Sequence, residues 1–192
     1  VKKLISFVLA GMLLLSAFGC SNSNQSKSSS SSKASSSVTK KQAKPIKFTT
    51  VGALQYTITS IQSDKITNKK SNWTNAEYNF PGIKNYPKNY YRTTLDYTLA
   101  NTSDKTVDLS FYQANVLLDG LEYTHESNTA NLFDENSNGV IQPGTKTSGK
   151  FELITKQKIK VTPKNIKINI GDQYAKGGQG DPVGTAGVAQ PE

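Results

Sequence analysis

The one histidine of the chain, His125, stands in "EYTHES" with Glu122 and Glu126 close by. A base of that kind needs a nucleophile and an orienting group at fixed distances. No Ser/His/Asp or Cys/His spacing in the sequence supplies them, so His125 reads as an exposed residue at a strand end and the chain as a non-enzyme. A zinc site asks for more His or Cys than one of each. No cofactor fingerprint is present either.

Residues 134–139, "DENSNG", match the opening D-x-N-x-N-G of a calcium loop, with Asp134, Asn136 and Asn138 as oxygen ligands and Ile141 at the apolar eighth position. Thr145 takes the place of the bidentate glutamate, and Pro143-Gly144 forbids the exit helix. The stretch therefore reads as an Asn/Gly-rich turn, with calcium ligation as the weaker alternative.

A longer segment, "NKKSNWTNAEYNFPGIKNYPKNYY" (residues 68–91), interleaves Trp73, Tyr78, Phe80, Tyr86, Tyr90 and Tyr91 with asparagines and lysines. Amphipathic rings beside amides form a recognition surface, and long loops of compact domains are commonly functional. Two readings stand. Trp73, Tyr78, Phe80 and Tyr86 bind a wall glycan or an envelope protein, or the aromatics fold back and cap one end of the core.

The elements that must position these groups follow from alternation. Tyr91, Thr93, Leu95, Tyr97 and Leu99 share one face; Leu54, Tyr56 and Ile58 another; so do Val107, Leu109 and Phe111, Phe151 and Leu153, and Ile166, Ile168 and Ile170. Turn signals at residues 101–105, Asp119-Gly120, Asn138-Gly139 and Pro143-Gly144 separate them. About seven short antiparallel strands in residues 45–174 predict an all-β sandwich. Residues 175–192, glycine-rich and without periodicity, read as a disordered tail.

The N-terminus carries a different pattern. Lys2 and Lys3 precede an apolar run at residues 4–18, shorter than the roughly 20 residues of a membrane-crossing helix and followed by serines. Residues 1–19 thus read as a signal peptide. Ala17, Phe18, Gly19 and Cys20 resemble the lipobox of bacterial lipoproteins, with Ala17 in the usual leucine position and a bulkier Phe18 than the pattern prefers. That resemblance implies lipidation of Cys20, the single cysteine, and anchoring at the outer face of the cell membrane. Two acyl chains suffice for lasting attachment. Residues 20–44, Ser/Lys-rich and without aromatics, read as a flexible linker with a mean span of about 27 Å.

Charge narrows the partners. Of 23 Lys and Arg, seven precede residue 45, while all 14 acids follow it, so the domain is nearly balanced at about +2. A nucleic-acid partner loses its support.

The succession "NTSDKTVDLSFYQANVLLDGLEY" then "VIQPGTKTSGKFEL" is similar to a domain type of unknown function common in Gram-positive lipoproteins, an extracellular, telokin-like immunoglobulin fold. Asn101, Asp119-Gly120 with Tyr123, and Pro143-Gly144 followed by Gly149 and Phe151 carry the likeness. It implies a fold and an extracellular setting, and no activity.

Overall fold

The computed structural model describes residues 44–79, 81–124, 129–133 and 139–192, all within one compact unit, Lys40–Glu192. The expected signal peptide, Cys20, the linker up to residue 43, His125, Phe80 and the Asp134, Asn136 and Asn138 turn lie outside the described residues.

Two antiparallel sheets enclose the core. The first is ordered β1 (Ile46–Lys47), β2 (Leu54–Thr67), β3 (Asn89–Asn101), β9 (Lys146–Thr155) and β7 (Thr129–Phe133). The second is ordered β11 (Gly187–Ala189), β10 (Ile166–Ile170), β5 (Ala114–Leu118) and β6 (Leu121–Tyr123). A third pair, β4 (Val107–Asp108) with β8 (Val140–Ile141), closes one side. The all-β antiparallel sandwich is as the alternation predicts; eleven strands are described, five of them only two or three residues long.

The core is built from the predicted faces. Leu95, Tyr97, Leu99, Phe151 and Leu153 of the first sheet meet Val116, Leu118, Ile166, Ile168 and Ile170 of the second, and all are buried. The Tyr56 and Tyr97 rings meet edge to face at 4.8 Å, and Phe151 lies 4.9 Å from Tyr97. These rings need partners for their hydroxyls: Tyr112 donates to the Tyr56 hydroxyl at 2.8 Å. Burial pushes the Tyr112 phenol far above its ordinary pKa.

Two turn signals act as read. Asp119 and Gly120, with φ of 51° and 83°, make the tight β5–β6 hairpin, the left-handed pair that a two-residue loop requires. Asn101 is buried; its amide donates to the Lys105 and Ile141 carbonyls while its oxygen accepts from Ser103. That residue is a turn clamp.

Two expectations change. Phe111 does not join Val107 and Leu109 on one face: the chain leaves β4 into a 3₁₀ turn, Leu109–Phe111, and Phe111 is exposed. The cause is Asp108, whose carboxylate accepts the Ser110 amide. It also accepts the Gly177 amide, and these donors hold its pKa below the ordinary carboxylate value.

Residues 175–192 are not a loose tail, and the domain runs past residue 174. β11 pairs with β10 and places Ala189 in the core; Thr49 donates to the Gln190 carbonyl at 2.8 Å, and Lys47 pairs with Glu192 at 2.7 Å. Buried Gln173 stitches this segment down, accepting from the Ala53 amide and exchanging backbone bonds with Val183 and Gly184. The glycines that suggested disorder instead permit close approach. A Cβ at Gly52 or Gly184 would stand 2.0 Å from the Gln173 side-chain oxygen.

Leu54, Tyr56 and Ile58 share the core face as read, and beyond them β2 carries a bulge. Ile58 faces Tyr97 but Ser60 faces Asp96, so Thr59 is the extra residue and the alternation reverses beyond it. Ile61 therefore packs on the core, whereas Gln62, Asp64 and Ile66 turn to the outer face.

Candidate functional site

That reversal prepares a second, smaller core on the outside of the first sheet. At the Thr67 end of β2, Ile66 stands opposite Tyr90, and Arg92 is flanked by Asp64 on β2 and Ile154 on β9. Apolar side chains on an outer face need a cover, and the segment between β2 and β3 supplies it. It runs through a 3₁₀ turn (Lys70–Asn72), a short helix α1 (Asn75–Asn79) and a second 3₁₀ turn (Pro81–Asn85). Ile83, Tyr90 and Ile154 are completely buried there, with Ile66, Trp73 and Tyr86 packed against them. Burying one such side chain contributes about 2 kcal/mol, which offsets part of the cost of ordering the segment.

The helix begins in a capping box, "TNAE". The Glu77 carboxylate reaches back to the Thr74 amide at 2.7 Å, and the Tyr78 amide donates to the Thr74 carbonyl at 2.8 Å. Glu77 is wholly buried, which a carboxylate tolerates only when its oxygens are satisfied. The Tyr90 hydroxyl donates to it at 2.9 Å, and Arg92, the single arginine of the chain, stands 3.6 Å away. Burial, then the Glu77 hydrogen bond and charge, drive the Tyr90 phenol far above its ordinary pKa, with Arg92 opposing.

A second buried carboxylate, Glu152 of β9, accepts the Thr74 hydroxyl at 3.3 Å and pairs with Lys150 at 3.0 Å. Thr74 thus joins two carboxylates that anchor the cap to β3 and β9. Tyr86 adds a third point, its hydroxyl donating to the Ile154 carbonyl at 3.0 Å, and the Asn68 amide donates to the Ile83 and Tyr86 carbonyls.

With Glu77 spent on internal partners and shut off from solvent, the cluster pins the loop and offers no accessible acid or base. Among the described residues no group of three His, Cys, Asp or Glu side chains could hold a metal.

The binding residues read from the sequence divide accordingly. Tyr86 and Trp73 are half-buried in the small core, whereas Tyr78 leaves 63% of its surface exposed. Behind Tyr78, the Trp73 ring stands at 6.4 Å in an edge-on arrangement and the Lys70 ammonium lies 5.8 Å over the Tyr78 ring. Trp73 Nε1 and Arg92 Nε are buried without a hydrogen-bond partner among the described residues. Alternation did not reveal Glu77, Tyr90, Arg92 and Glu152 as a cluster. The capping box and the apolar Ile66 and Ile154, each out of phase with its own strand, were the available signals.

No family model matches the chain, and no curated protein matches it. Among solved structures, a protein from Listeria monocytogenes EGD-e described as functionally unknown is similar at 12% identity. The match covers 79% of this chain and 83% of that one, with a TM-score of 0.47.

Proposed function

We propose that the chain is a lipid-anchored protein of the outer face of a bacterial cell membrane, whose telokin-like, immunoglobulin-type domain binds an envelope component without catalysis. The observation that carries the reading is the pinned cap. Two buried carboxylates, three hydroxyls and a private apolar core hold a loop in place, and that loop presents Tyr78 outward. Rigid aromatic presentation lowers the ordering cost of contact, which is how recognition loops gain affinity. The lipobox-like residues 17–20 support the setting.

Sedimentation with isolated cell envelopes tests this. Tyr78→Ala, at an exposed position, is expected to leave thermal stability within about 0.5 kcal/mol and to reduce binding at least about tenfold. Binding by the Tyr78→Ala protein equal to the unsubstituted one would overturn the reading.

A further inference from the structure

We infer that the Thr67 end of the sandwich is a docking surface for an anionic lipid bilayer. This names the partner of the end that carries the Tyr78 loop, and it rests on the envelope reading for the identity of that surface.

The near-neutral charge of the domain hides a segregation of sign. Lys65, Lys69, Lys70, Lys84 and Lys88 lie at the end of β2 and in the cap, and all are exposed. The sole carboxylate of residues 65–91 is Glu77, buried and already paired. The connection from β9 to β10 adds exposed Lys156, Lys158 and Lys160, then Lys164 and Lys167, with no acid between residues 153 and 171. This connection crosses between the sheets at the same end, for β9 finishes opposite Tyr91 and β10 starts opposite Leu118, while Lys156 lies 5.9 Å over the Tyr86 ring. Nearby, Asp64 is drawn toward Arg92, Asp119 is held by the Asn165 amide, and exposed Glu122 accepts from the Asn115 and Asn169 amides. Ten exposed lysines therefore share one end, while Lys105, Lys146 and Lys176 belong to the other, with Asp104, Asp172 and Asp181.

Two features favour a bilayer over a soluble polyanion. Leu121, 65% exposed beside the hairpin, and Tyr78 are side chains suited to the headgroup boundary. Lastly, β1 runs antiparallel to β2, so the chain enters the domain from the direction of Thr67, with Lys40, Lys41 and Lys44 just before it. A chain anchored upstream of β1 brings this end toward the lipid.

The test uses the Lys40–Glu192 unit, which contains both sheets and both apolar clusters. It is cosedimented with vesicles of about one part phosphatidylglycerol to two of phosphatidylcholine, and with phosphatidylcholine alone. Binding is expected only to the anionic vesicles and to fall as salt is raised. The Lys158→Gln/Lys160→Gln/Lys164→Gln variant should bind about 100-fold more weakly, at about fivefold per lysine. The Lys105→Gln/Lys146→Gln/Lys176→Gln variant should bind unchanged. Equal binding to neutral vesicles, an equal loss in both variants, or capture of inorganic polyphosphate without capture of vesicles would overturn the proposal. Envelope binding that depends on Tyr78 while vesicles are ignored would sink the lipid partner and leave the recognition reading standing.

Discussion

Glu77 carries the most consequence of any single side chain here. A carboxylate buried without compensation would cost several kcal/mol, and this one is compensated by the Thr74 amide, the Tyr90 hydroxyl and Arg92. Glu77→Ala leaves Arg92 without its nearest counter-charge and removes the helix cap, so a loss of about 3 kcal/mol is expected in denaturant unfolding. Tyr90→Phe deletes one hydrogen bond to a charge and should cost about 2 kcal/mol. If the two substitutions together cost the sum of the singles, the network does not act as a unit. A shortfall below the sum marks the shared bond. Little of this was legible in the sequence, because Glu77, Arg92 and Glu152 are charged residues at positions where charge is ordinarily solvated. The "TNAE" capping box would have marked one of them as a helix cap.

At the scale of elements, strict alternation located the long strands and the core face of each, since a half-buried strand repeats every two residues. It failed where a local device reset the pattern. In β2 the core isoleucines Ile58 and Ile61 stand three apart, a spacing that alternation forbids and the Thr59 bulge explains. In the C-terminal segment, apolar content was too low for a pattern, and order comes from Gln173, Asp108 and Asp172 accepting or donating to backbone groups. The bulge makes a direct prediction. Deleting Thr59 joins Ile58 to Ser60 in a regular strand that keeps Ile61 on the core face and Gln62, Asp64 and Ile66 on the outer face, so a cooperative melt should be retained. Thr59→Ala, which removes one hydrogen bond to the Asp96 carbonyl, should cost about 1 kcal/mol or less. Loss of the cooperative melt in the deletion would mean that Thr59 is not the extra residue.

For the whole molecule, the sandwich serves as a mount whose one end carries a pinned aromatic loop and most of the positive charge. That arrangement was half visible beforehand: the aromatic segment was conspicuous by composition, and it covers the sheet with Trp73 and Tyr86 while leaving Tyr78 exposed. The single tryptophan sits under that surface and reports on it. The decisive measurement is therefore a titration of isolated cell envelopes into the protein while Trp73 emission is followed. A saturable change in emission that disappears in Tyr78→Ala is the predicted result. Emission unchanged at every envelope concentration, or a change that Tyr78→Ala retains in full, would contradict the assignment of the loop as the binding surface.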